Sequence, residues 1–247
     1  MNKRSYKGDL VNSLGKVQQR IVKCEACTRL VEFRERIAIE KRASFADWDY
    51  WGAPVPSTGD PIAEVLIVGL APGAHGANRT GRMFTGDPSA SFLTSALFRA
   101  GFTSSPRSDF KGDGLELKNI FITSALRCVP PNDRATMEEQ NNCRHFLTEE
   151  LKLLKHVKAI LALGKVAFEN LTKAISAISG QTLRIKFGHG CVFDLGENMP
   201  RLFCSYHPSP RNTNTGRLTA NKMDSVLLEI NEFLSDSDNP SMLSLSS

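Results

Sequence analysis

No stretch of this 247-residue sequence reaches the roughly 18 consecutive apolar residues of a membrane-crossing helix, so no helical anchor is expected. The opening MNKRSYKGDLVNSLG lacks the apolar core of a signal peptide, and the expectation is a cytoplasmic protein without membrane contact. No internal repeat is visible, which sets solenoids and propellers aside. Cysteine is scarce, at six residues, and in a cytosolic chain these are thiols or metal ligands before they are disulfides. Strong charge of one sign is also missing. A net +5 with pI near 8.9 is compatible with nucleic acid, but many soluble proteins are as basic.

What is present suits one ordinary domain, 41% hydrophobic. We read residues 1–235 as a single domain with a helical lead-in. Residues 236–247, rich in Ser, Asp and Asn, read as a disordered tail. Apolar spacing predicts helices over 10–21, 89–100, 135–155, 164–178 and 219–234. Branched and aromatic runs predict core strands at 65–69, 119–125, 157–163 and 201–205. A hairpin is predicted for 182–187 and 191–195 around Gly188-His189-Gly190, and 45–60 and 104–115 read as irregular. Strands alternating with helices imply an α/β protein, a three-layer α/β/α sandwich around a mostly parallel four-stranded sheet. Ligands in such sheets gather beyond the carboxyl ends of the strands, where the polar loops 70–87, 126–134 and 206–217 are expected to share one cleft.

The first of these loops, GLAPGAHGANRTGRMFTGD (69–87), opens directly from a buried strand. Glycine and alanine there let a ligand approach the backbone. Gly76 and Gly81 space like a phosphate loop, but Arg82 and Met83 stand where Lys and Ser or Thr are required, so a nucleotide hydrolase is rejected. The third loop, YHPSPRNTNTGR (206–217), puts His207 immediately after a strand. Helix capping accounts for its Asn and Thr, whereas a histidine followed by two prolines and two arginines suggests an acid, base or donor.

The first loop together with HPSPRNTNTGRLT resembles the type-5 (family 5, B-type) uracil-DNA glycosylases, over about residues 24–234. The related type-4 enzymes share the layout. The resemblance implies removal of uracil, and of other deaminated bases such as hypoxanthine, from DNA to leave an abasic site. Ala71 and Gly73 would floor a pocket for the flipped base, and Phe84 would stack on it. His207 would donate to the uracil 2-oxo oxygen as negative charge builds on the base, which a neutral imidazole can do. Where other families place an acidic or amide side chain after the first strand, this chain has Leu70 and Ala71. Water activation is therefore assigned to Asp87, with His75 and Asn78 as alternatives, although Asp87 also reads as a helix-start residue. Ser124 stands where type-4 relatives carry a base-reading asparagine, which suggests a more tolerant pocket. Arg79, Arg82, Arg134, Arg211 and Arg217 are expected to meet phosphates, and Asn212 with Arg211 to wedge into the duplex. The absence of a lysine in the cleft loops argues for a monofunctional enzyme, expected as a monomer. The rival is an inactive iron–sulfur DNA-binding protein of the same fold.

Cys24-x2-Cys27 and Cys128-x14-Cys143 bring paired thiols from distant segments, an arrangement that needs a metal to justify it. The spacing alone leaves zinc and iron–sulfur open; the resemblance implies a structural 4Fe-4S cluster. Cys191 and Cys204 read as core residues.

Overall fold

A computed structural model describes residues 3–238 of the chain. Two buried runs, β2 (Val65–Gly69) and β6 (Arg201–Ser205), have the bounds their apolar patterns predict. With β3 (Ile120–Ser124) and β4 (Ala159–Leu163) they form a parallel core, β3 beside β2, β2 beside β4, and β4 beside β6. The sheet has six strands, not four, in the order β1-β3-β2-β4-β6-β5. The added edges, β1 (Thr58–Gly59) and β5 (Val192–Phe193), pair antiparallel and are each two residues long, too short to leave an alternation in the sequence. The predicted hairpin is also corrected: residues 182–187 form no strand, and β5 pairs with β6. Their alternation is real, but it comes from Leu183, Ile185 and Phe187 packing on the core as an extended segment outside the ladder.

Because successive side chains point to opposite faces, each core strand feeds two apolar layers. Val65, Ile67, Ile122, Leu161 and Phe203 pack under α4 (Pro88–Arg99) and α8 (Ala220–Asp238). Leu66, Val68, Phe121, Ile160 and Leu202 pack under α1 (Lys3–Val22) and α6 (Lys165–Ser179), with Leu147 of α5 (Met137–Leu153). This is the expected three-layer sandwich. Helix α8 runs through 236–238, so the tail does not begin at 236; the rest of it, 239–247, lies outside the described residues. Helix α2 (Thr28–Glu40) left no signal because only Leu30 and Arg34 on it are buried.

From β2 the chain crosses to β3 on one side, whereas from β4 it crosses to β6 on the other. The ends of β2 and β4 are therefore the switch point of the sheet, where a crevice opens. Two short helices lie in the loops at this edge, α3 (Ala77–Thr80) and α7 (Pro210–Thr213).

Candidate active site

Phe84 stands over the end of β2. It has φ of 46°, a left-handed conformation that costs a bulky residue on the order of 1–3 kcal/mol and persists only where the surroundings impose it. Here Ser108 imposes it, donating to the Phe84 carbonyl at 2.9 Å while also bonded to Thr85 Oγ1. The ring lies against the bare backbone of Gly69, where a Cβ would come within 2.8 Å of it. Across the crevice His207 faces it, ring centroids 6.2 Å apart and tilted by 33°. His207 is seated on Gly164, whose φ of 93° and missing side chain allow the approach, since a Cβ would sit 3.1 Å from that of His207. Asn212 holds the loop from below, its Nδ2 donating to the His207 carbonyl at 2.8 Å. Withdrawal from water lowers the His207 pKa to about 4, so the imidazole is neutral at physiological pH.

Asp87 closes the first loop. Its Oδ1 accepts the N–H of Ala90 at 2.8 Å, capping α4 with Pro88 at the first helical position. Its Oδ2 rests on the loop backbone, where a Cβ on Gly73 or Gly76 would come within 2.6 or 1.9 Å of it. Burial raises the Asp87 pKa and outweighs the opposing N–H groups of Ala90 and Ser89 and the charge of Arg79; Asp133 adds to the rise. Asp133 and its neighbour Asn132 both adopt left-handed backbone, with φ of 56° and 53°, in the loop after β3. The loops after β2, β3 and β6 thus converge as expected. Only a turn-like Pro-Asn-Asp composition marked the strained pair in the sequence.

Several expected site residues do other work. Ser124 is buried, its hydroxyl donating to the Leu126 carbonyl at 2.5 Å beside Met83, so it offers nothing to a base. Asn78 is 1% exposed and donates to the Arg34 carbonyl at 3.2 Å, which removes it as a water activator. The His75 ring is bonded to Tyr50 Oη at 3.0 Å, and burial, Arg42 and Arg79 lower its pKa. Ala71 packs with Leu70 toward Leu126 and the cysteines, while the Gly73 carbonyl takes the N–H groups of Gly76 and Asn78.

Two arginines are corrected from phosphate ligands to braces. Arg79 is 3% exposed, clamped between Phe45 and Trp48 at 3.9 and 4.0 Å, and donates to the His75 and Gly86 carbonyls. Arg82 is tied to Asp113 at 2.7 Å, to Thr85 and to Ser108. Burial alone would raise the Asp113 pKa, but Arg82 and the N–H groups of Leu115 and Asp109 bring it down to about 2. Arg211, Arg217 and Arg134 are exposed, and Arg217 lies over the Tyr206 ring at 4.3 Å.

Cys24, Cys27, Cys128 and Cys143 line one cavity with Leu30, Val31 and Pro54 between α1, α2, α5 and the chain after β3. Burial pushes the Cys143 thiol up to about 12 and raises Cys27 and Cys128 as well. Among the described residues no three of His, Cys, Asp and Glu are drawn together tightly enough for a single ion. Cys204 is a buried core residue and Cys191 packs beside it.

With the crevice described, the likenesses to known proteins bear on it directly. The profile of the Uracil DNA glycosylase superfamily matches residues 56–234. The chain belongs to that superfamily. It is 44% identical to the type-5 uracil-DNA glycosylase of Pyrobaculum aerophilum over 91% of this chain and 92% of that one. It is 47% identical to that of Mycobacterium bovis over 83% and 76%, and 44% identical to that of Thermus thermophilus over 85% and 94%. In this superfamily member the matched region runs from just before β1 into α8 and so contains the whole sheet and all three crevice loops. It begins after α1 and α2, the elements that flank Cys24 and Cys27.

Proposed function

We propose that the protein hydrolyses the N-glycosidic bond of uracil in DNA, leaving an abasic site. The observation that carries this reading is the opposed pair Phe84 and His207 at the switch point, backed by a buried carboxylate. A base swung out of the duplex loses its stacking and regains it on Phe84. As the bond to the sugar breaks, negative charge collects on the base, and the neutral His207 donates a hydrogen bond where it develops. A preorganised donor of this kind is worth about 10²–10³ in rate. Asp87 keeps Oδ1 on the helix cap and holds Oδ2 against the loop backbone at Gly73 and Gly76, from where it orients and deprotonates water for attack on the sugar. Its raised pKa makes it a stronger base than an ordinary carboxylate. The site has no side-chain amide from β3 to read the base edge, which supports acceptance of hypoxanthine beside uracil. Arg211 and Arg217 serve as phosphate contacts.

The four cysteines that line one cavity suit a thiolate-bound inorganic centre; the donor set serves zinc and a 4Fe-4S cluster alike, and the family resemblance favours the cluster. Such a centre would supply a structural tie between the turn from α1 to α2 and the chain from β3 to α5. Iron and labile sulfide analysis of the purified protein tests it; zinc in their place would reverse the choice. For the reaction, labelled duplexes with uracil opposite G, uracil opposite A and hypoxanthine opposite T are scored for alkali-labile sites. Cleavage of the uracil duplexes is expected. No cleavage by folded protein would leave a DNA-binding protein without activity.

A further inference from the structure

Two arginines that excision does not use are buried beside the cysteine cavity. Arg34, on α2, is 4% exposed, and Arg127, after β3, is 1% exposed. Arg34 Nη1 donates to Cys128 Sγ at 3.2 Å and to the Cys24 carbonyl at 3.1 Å, while Nη2 reaches Glu35 at 3.4 Å. Glu35 is itself 54% exposed, a weak partner for a buried cation. Arg34 Nε is buried without a hydrogen-bond partner among the described residues, as are Nε and Nη1 of Arg127, whose Nη2 is held by Glu150. Buried guanidinium N–H groups without partners are costly unless negative charge lies close by; Arg127 lines the cysteine cavity, and Arg34 reaches its wall through the Cys128 sulfur.

The main chain of Arg34 points the other way. Its carbonyl accepts Nδ2 of Asn78 at 3.2 Å, and Asn78 belongs to α3 in the middle of the base-binding loop. The Asn78 carbonyl in turn takes the N–H of Gly52, and its Oδ1 is buried without a partner among the described residues. One residue therefore touches a cysteine sulfur with its side chain and the pocket loop with its backbone.

We propose that Arg34 is the positioning residue that joins the cysteine centre to the base-binding loop, its guanidinium donating to the Cys128 sulfur and its carbonyl fixing α3 through Asn78. The proposal rests on reading the four cysteines as ligands of an iron–sulfur centre. A cationic donor on a ligating sulfur withdraws electron density and favours the reduced form, so it raises the reduction potential. A lysine keeps the charge but lacks the fork that reaches both the sulfur and the Cys24 carbonyl.

The test uses the full chain as parent, Arg34→Gln, Arg34→Lys and Asn78→Ala. Iron and sulfide per chain, the midpoint potential from a mediated titration, and amide hydrogen exchange over residues 73–81 are read in each. Arg34→Gln is expected to retain iron, to have a more negative potential, and to exchange roughly tenfold faster across the loop. Asn78→Ala is expected to speed the same exchange with the potential unchanged. Should Arg34→Gln fail to fold, Arg34→Lys carries the test, with both readouts displaced in the same directions. An iron-loaded Arg34 variant with the parent potential and the parent exchange overturns the proposal. A parent chain free of iron and sulfide overturns instead the cysteine reading on which it rests.

Discussion

His207 and Asp87 stand on loops that follow β6 and β2, and burial shifts them in opposite directions for the same reason: each loses water around its charged form. His207 falls from 6.5 to about 4, so the folded chain binds this proton less well than the unfolded chain. Its contribution to stability is therefore complete above pH 6.5 and is lost as the pH falls toward 4, by about 3 kcal/mol over that interval. Asp87, raised from 3.8, has the opposite sign: its ionisation opposes folding at neutral pH, and that cost disappears as the pH falls through its folded value. Two outcomes are expected. Thermal unfolding between pH 7 and 4.5 should destabilise the parent more than His207→Gln. The excision rate should fall on the acid side at a pH above the usual carboxylate range, because Asp87 must be ionised, and these two groups impose no alkaline limb. The placement of His207 opposite Phe84 was legible, because a histidine between a strand and two prolines has few structural explanations. The burial of Arg79, Arg82 and Ser124 was not. An arginine bound to carbonyls inside a loop and one facing a phosphate have the same letters around them.

At the scale of elements, the crevice depends on backbone that makes room for side chains. Gly69 ends β2 in ordinary extended backbone, yet a Cβ there would meet the Phe84 ring at 2.8 Å. Gly69→Ala is expected to keep the fold, at a cost of about 1–3 kcal/mol for overpacking. By displacing the stacking floor it should also slow single-turnover excision by tenfold or more, a loss larger than the melting shift accounts for. Strands β2 and β6 were legible to the residue because each is an apolar run with burial on both faces. Helix α2 was not, since its buried face is made of Leu30 and an arginine whose partner is a cysteine sulfur far along the chain. The short edge strands and the extended segment 182–187 are set by what they dock on, and no local pattern separates such a segment from a hairpin arm.

Over the whole molecule, a net charge of +5 gives general attraction to DNA but does not say where the charge acts. Two of the arginines nearest the crevice are consumed internally, which leaves Arg211 and Arg217 exposed on the His207 loop. Replacing either by Gln is expected to weaken duplex binding across sequences and to reduce the slope of log affinity against log salt by about one. The same change at Arg82 should instead lower the melting temperature, because it unseats Asp113 and the loop that holds Phe84.

Asp87 either acts on water or only caps α4. Asparagine caps a helix as well as aspartate does, so Asp87→Asn keeps the cap, removes the base and relieves the cost of a buried charge. Single-turnover excision of uracil from duplex DNA, measured beside thermal unfolding for the parent, Asp87→Asn and His207→Ala, separates the two roles. The expected result is a loss of about 10²–10⁴ in rate for Asp87→Asn with a melting temperature no lower than that of the parent. His207→Ala should lose about 10²–10³. An Asp87→Asn protein that excises uracil at the parent rate would contradict the account and leave Asp87 as a helix cap.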